Sequence, residues 1–466
     1  MVSAQAISMR RLTRFFAVAI IVGTSTACIG SLSQEGLPQD ETGVFIGNEQ
    51  NNGDGESDET YPLGDTSSIV SHLPVPSDEI LRVQLSETET SISNSLCKFS
   101  FAMLSHLYSG ESLVISPLSV SMALSILTEG ANGESAEEIL EVMGIEANQA
   151  FYLKDFYCHL LEQLPAVDTT VRINTLNALV ADVSVPLLDS YKSDIRKYYF
   201  SEVRNMNFSR YHDVCELING WCYETTNGLI PSILNEEECR SSIAVLLNLL
   251  YMKAAWMYPF DKSHQIKKQE LFRRPGMSPC TVDYLTTVET MEYLEANTFR
   301  AARRELGRKG QYCFTVLLPR SDAGVKEEVL DALSSRVSKL DLSSFIPREV
   351  SLRLPVFATE SSYQLIDCLM SLGIKKIFTP EADFSRMVFP GYPFEISSIF
   401  HRVTMTIDPD GIEGAAATMV QFGGTTNGNK EEKDEPICFW ADHPFVYMIT
   451  EKASGAILFA GVFNGV

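Results

Sequence analysis

Residues 80 to 466 are predicted to form one large α+β domain, and three observations carry that expectation. Amphipathic helical periodicity dominates the first part of this region. Later segments read as strands, one buried on both faces and others alternating. No Pro/Gly-rich linker and no internal repeat interrupts the run. Taken in order, Ser93 to Gly110 places apolar residues on one helical face and stops at a glycine, and Pro117 to Ala131 starts with proline and ends near Gly130. Cys215 to Gly228 repeats the helix-then-glycine pattern. Ile243 to Trp256 has the unbroken hydrophobicity of a strand covered on both sides. Tyr312 to Pro319 and Glu349 to Phe357 alternate and contain or end at prolines, as edge or terminal strand residues do.

What precedes the domain has a different character. Arg10, Arg11 and Arg14 lead into FFAVAIIVG, Phe15 to Gly23, an apolar run too short to span a bilayer, so residues 1–27 read as a targeting signal and the mature chain as exported, secreted or held at the cell surface. Cys28 follows small residues, as in bacterial lipoprotein signals. Ser25 stands where a leucine is usual, so lipidation of Cys28 and ordinary cleavage after Ala27 both remain open. Residues 28–79 are an acidic tether: Ser31 to Asp78 has no Lys or Arg and is rich in Gly, Asn, Ser and Pro.

Composition excludes several functions. A formal charge of −23 disfavours nucleic acid and anionic membrane, leaving a lipid on Cys28 as the one route to a membrane. There is no GxSxG elbow, HExxH, phosphate-cradling Gly loop or GxGxxG after a strand, so neither an enzyme nor a cofactor is expected. Of ten cysteines nine remain beside Cys28, an odd number; Cys215, Cys222, Cys313, Cys368 and Cys438 sit in apolar segments and are expected to be buried thiols, and the absence of CxxC argues against metal. His401 and His443 lack ligand spacing and are expected to be structural.

One stretch remains unexplained by that reading. Gly411 to Thr418 is small and nearly uncharged, able to pack as a strand, yet it runs into the Gly, Asn, Lys and Glu residues of an exposed loop. Five segments in register supply a reason: VISPLSVSMALSILTEGA (Val114 to Ala131), INGWCYETTNGLI (Ile218 to Ile230), LLNLLYMKAAWMYPF (Leu246 to Phe260), SSIFHRVTMTIDPDGIEGAAAT (Ser397 to Thr418) and DHPFVYMITEKASGAILFAGVFN (Asp442 to Asn464). Together they resemble the serpins over Glu79 to Val466.

The resemblance implies a serpin fold, with helices around a large mixed sheet and an exposed reactive loop near the C-terminus. It also implies a monomer whose partners are serine proteases, with some cysteine proteases besides. The loop is bait: after cleavage its hinge, Gly411, Ile412, Glu413, Gly414, Ala415, Ala416, Ala417 and Thr418, inserts into the sheet. Strand alternation sends Ile412, Gly414, Ala416, Thr418 and Val420 to one face, a set without charge. Counting along the family's loop places the reactive bond at Thr425–Thr426, with Phe422, Gly423 and Gly424 as recognition residues. A Thr there suits elastase-like and subtilisin-like proteases, whereas the loop's length leaves Lys430 and Lys433 open for trypsin-like ones. Ser116, Ser119, Asn248 and His401 match the family's shutter cluster and Trp256 its breach, where insertion begins. Two departures stand out: Pro409 replaces a usual Glu and Val356 its basic partner, while Ile412 replaces Thr or Ser. The implied function is irreversible suicide-substrate inhibition. The alternative is a non-inhibitory carrier of the same fold, whose hinge often holds charged or bulky residues where this one has GAAAT.

Overall fold

The computed structural model describes residues 15–23, 82–263, 265–321, 324–334, 344–412 and 435–465. The hinge beyond Ile412, the reactive-bond and recognition residues, the alternative lysines, Cys28 and the tether lie outside these ranges.

Two sheets organise the chain. The first, which we call the main sheet, contains β1 (Phe15–Gly23), β3 (Arg172–Asp182), β4 (Glu202–Met206), β5 (Ser242–Ala255), β11 (Phe357–Gln364), β12 (Ile396–Ile407) and the two-residue β13 (Gly411–Ile412). Its order runs from β11 to β12, then a central position shared by β1 and β13, then β5, β3 and β4. The second sheet has nine strands: β2 (Leu113–Ile115), β6 (Ile266–Phe272), β7 (Cys280–Glu295), β8 (Phe299–Leu306), β9 (Tyr312–Pro319), β10 (Ile346–Pro355), β14 (Ile437–Trp440), β15 (Phe445–Glu451) and β16 (Ile457–Phe463). Helices gather mainly early: α1 (Glu87–Leu107), α2 (Pro117–Gly130), α3 (Glu134–Met143), α4 (Leu153–Val167), α5 (Asp189–Tyr199), α6 (Tyr211–Thr225) and α7 (Glu236–Ser241).

The strand expected to be buried on both faces is so. Ala244, Leu246, Leu250 and Met252 of β5 join the large core shared with α2 and the second sheet. Val245, Leu247 and Leu249 join a smaller core with Val214, Ile218, Trp221 and Cys222 of α6, which roofs the opposite face. β9 has the bounds expected of it, and α2 ends at Gly130 as its glycine signal indicates. α1 begins earlier than its apolar face suggests, because Ser86 and Glu89 form a reciprocal capping box ahead of it. α6 likewise begins earlier, at Tyr211, and ends before the expected Gly228.

Cys215, Cys222, Cys313 and Cys368 are buried free thiols. Burial pushes Cys313 and Cys368 each up to about 12. Cys438 departs from expectation and is exposed. On the four-residue β14 the side chains alternate, so Phe439 takes the core side and Cys438 the outer one.

The hinge, the shutter and the breach

The hinge begins as a hairpin corner. In Asp408-Pro409-Asp410-Gly411 the proline pre-sets the second turn position, and the Asp408 carboxylate accepts hydrogen bonds from the amides of Asp410 (2.8 Å) and Gly411 (3.0 Å). Burial raises the Asp408 carboxyl pKa despite those two bonds. Gly411 has φ +148°, and a Cβ there would sit 2.2 Å from the Ala254 carbonyl oxygen and 2.7 Å from Ala255 Cα, so only glycine fits. The next residue, Ile412, is fully buried and pairs antiparallel with Ile407 of β12 on one side and Ala254 of β5 on the other. The hinge has thus taken its first two positions in the main sheet.

The breach surrounds this corner. The Trp256 indole N–H donates to the Asp408 carbonyl (2.8 Å), its amide to the Asp410 carbonyl (3.2 Å), and the Phe260 amide to the Pro409 carbonyl (3.4 Å). Lys262 closes the outside of the turn on Asp410 at 2.6 Å. Val356 is half-buried, and its amide donates to the Asp283 carbonyl, so neither replaced position carries a charge while Asp410 and Lys262 supply an ion pair at the same corner. Sequence reasoning missed Arg304. Its buried guanidinium lies 3.8 Å from the Phe260 ring centroid and 5.0 Å from that of Trp256, and Nε donates to Glu289 at 2.8 Å. Burial lowers its pKa, an effect opposed by the Glu289 charge. An arginine in an otherwise apolar strand, FRAARREL, is the signal that could have found it.

The shutter residues divide. Ser116 caps α2 with its Oγ, which also donates to the Leu458 carbonyl (2.7 Å) and lies 3.1 Å from Ser119 Oγ. The Ser116 amide donates to Nε2 of the fully buried His401 (3.1 Å), which requires that nitrogen to carry no proton. Asn248 stands apart. Its Nδ2 donates to Asn177 Oδ1 on β3, and Asn177 in turn donates to the Tyr199 carbonyl (2.7 Å). Among the described residues the buried Asn248 Oδ1 has no partner. What separates Asn248 from His401 is Ile20 of β1, which pairs with both.

Nothing in this region resembles an active centre. Asp442 Oδ1 is 2.9 Å from His443 Nδ1, but His443 Nε2 faces the Pro319 carbonyl at 3.2 Å, so the pair activates no nucleophile. Among the described residues no group of three His, Cys, Asp or Glu side chains could hold a metal. No described helix is long and apolar enough to cross a membrane.

A family model described as "Serpin (serine protease inhibitor)" matches residues 94–465, most of the chain. The chain is a serpin. Among curated relatives, this serpin is similar to Iripin-2 of Ixodes ricinus, 28% identical over 385 residues that cover 81% of this chain and 94% of that one. It is also similar to corticosteroid-binding globulin of Homo sapiens, 27% identical, covering 82% of this chain and 93% of the other. Of solved structures it resembles Serpin48 of the insect Tenebrio molitor, with a TM-score of 0.69, 23% identity and coverage of 82% and 100%; that likeness concerns the fold. The relatives thus include a carrier by name as well as inhibitors. Members of this family are not enzymes in the usual sense, and serine proteases are their typical partners.

Proposed function

We propose that this serpin is an exported, monomeric suicide-substrate inhibitor of serine endopeptidases, with elastase-like and subtilisin-like enzymes favoured. One observation carries the reading: Gly411 and Ile412 already occupy the top of the central position between β5 and β12, aimed so that the uncharged residues after them continue into it. Extending that antiparallel register sets Ala416 beside Leu250 and Val403, Thr418 beside Asn248 and His401, and Val420 beside Leu246 and Ile399, all buried neighbours.

The protease's serine Oγ attacks the Thr425 carbonyl. The Thr425–Thr426 bond breaks, the protease's histidine passes the serine proton to the departing Thr426 amine, and Thr425 is left as an ester on the protease. The freed hinge then adds to the sheet and carries the protease away before water reaches the ester. Export removes residues 1–27, and residues 28–79 hold the domain away from its anchor or simply trail. A carrier is the second reading, favoured by the whole-length likeness to corticosteroid-binding globulin.

One experiment separates them. The processed chain, starting at Cys28, is incubated with an elastase-like and a subtilisin-like protease, and the products are resolved in hot detergent and by mass spectrometry of the loop. A covalent complex with cleavage after Thr425 is expected. Only cut serpin beside fully active protease refutes inhibition.

A further inference from the structure

The central position of the main sheet has a second claimant. β1 lies between β5 and β12 and runs parallel to both, pairing Ala17 through Gly23 with Ser398 through Thr404 and with Val245 through Tyr251. The hinge register from Ile412 runs the other way into the same space. Following it residue by residue, Ala415 falls opposite Thr404 and Tyr251, which are the partners of Gly23; Ala416 takes the partners of Val22, and Thr418 those of Ile20. Both flanking strands give the same correspondence down to Gln421 and Ala17. Leader and loop therefore compete for the same backbone hydrogen bonds, and only one of them can be present.

We infer that the apolar N-terminal segment Phe15–Gly23 is an intramolecular lock: while it is attached and seated between β5 and β12, the reactive loop can be cut but cannot insert, and removal of the leader arms the inhibitor. This rests on the proposed inhibitory function. Three features of the molecule agree with it. The segment carries no charge, as a strand in the middle of a sheet requires. Its seat splits the shutter, leaving Asn248 Oδ1 buried without a partner while His401 stays two strand positions away. β1 is parallel to its neighbours whereas the hinge is antiparallel, the more stable ladder per residue, so the loop prevails once the leader is gone.

The test uses the full chain and the same chain carrying Ile20→Pro and Val22→Pro, which removes two ladder donors from β1. Hydrogen exchange reads the seat directly: amides of Phe15–Gly23 are expected to be protected at least 100-fold over an unfolded chain, and free exchange there overturns the lock. Inhibition is read as serpin molecules consumed per protease trapped. The full chain is expected to be consumed as a substrate, at a ratio at least 10-fold above that of the proline variant, and equal ratios overturn the lock. Failure of the inhibitory reading looks different: Phe15–Gly23 is protected in the full chain, yet neither chain traps protease and neither gains heat resistance when its loop is cut.

Discussion

Substituting Ala416→Arg in the processed chain tests the register of the hinge most directly. Ile412 is fixed by its pairs with Ile407 and Ala254, and counting from it sets Ala416 between Leu250 and Val403, which are 1% and 0% exposed. An arginine there meets the hydrocarbon of the large core with no carboxylate beside it, and burying an unpaired cation costs several kcal/mol. If about 3 kcal/mol of that cost falls on insertion, insertion slows by roughly 100-fold while hydrolysis of the ester is unchanged. The serpin should then be consumed at on the order of 100 molecules per protease trapped instead of about one. Two companions calibrate the effect. Glu413→Arg lies on the other face beside Thr406 and Lys253, both half-exposed, and should leave the ratio near its starting value. Ala417→Arg faces the same way but sits beside Leu249, which α6 covers, and beside Arg402, so it should fall between the two. The assay titrates protease with each variant and follows residual activity to completion. If the three variants do not rank in that order, the register is wrong, and the assignment of Thr425 fails with it.

Other outcomes follow from the same contacts. Cutting the processed chain within Phe422 to Lys430 should raise its thermal midpoint by 10 °C or more in order of magnitude, since a full central ladder is gained at about 1 kcal/mol per hydrogen bond; an unchanged midpoint on calorimetry means no insertion. Gly411→Ala should cost about 2–4 kcal/mol of stability in denaturant titration, because its Cβ meets the Ala254 carbonyl and its φ is unfavourable. Arg304→Lys should cost about 1–2 kcal/mol by losing the planar stack on Phe260 and Trp256, and should loosen the Trp256 fluorescence environment. Acid should weaken the corner at Asp442. Burial alone would raise this carboxyl, but the hydrogen bonds and charges of His443 and Arg273 outweigh it and hold the pKa at about 2. Its stabilising contribution is therefore complete above the unfolded value near 3.8 and is lost as pH falls toward 2. Asp442→Asn should flatten unfolding-versus-pH curves in that window by about 1 kcal/mol after solvent screening.

The parts of the fold that were readable are those written in local periodicity. Tyr312 to Pro319 alternates, ends at proline and is the strand β9, and the double burial of β5 is visible in its unbroken apolar run. Helix starts were less readable where a cap rather than an apolar face sets them, as at Ser86 and Glu89, although that S-x-x-E pattern was available. Cys438 was misread because four residues are too few for alternation to show which side is out. In the site, Asp-Pro-Asp-Gly announced a turn, and the turn is there. Which polar groups meet across the sheet is another matter. Asn248 and Asn177 are joined although they are 71 residues apart, and Phe15 to Gly23 pairs with strands hundreds of residues later. Such pairings depend on topology, and a single sequence carries no local signal for them.

The side-chain ties on either side of the central position explain why the sheet can part there and not elsewhere. β5 is bound to β3 by a continuous antiparallel ladder from Arg172 to Ala181, reinforced by the buried bond between Asn248 and Asn177. On the other side β12 is bound to β11 from Phe357 to Gln364, with Arg402 donating to Glu360 from both Nε and Nη2. These ties run away from the seam and make each half a rigid panel. At the seam the connection is the corner at Asp408 to Gly411, held by the Trp256 indole and the Lys262 ion pair, and a strand that comes from elsewhere in the chain. Filling the seam changes the ladder hydrogen bonds and the surroundings of Asn248 and His401 while the panels stay intact. The identity of the occupant is therefore the variable on which the state of the molecule depends. A seven-residue overlap between leader and hinge is sufficient for that choice, because every one of those positions offers hydrogen-bonding strands on both sides.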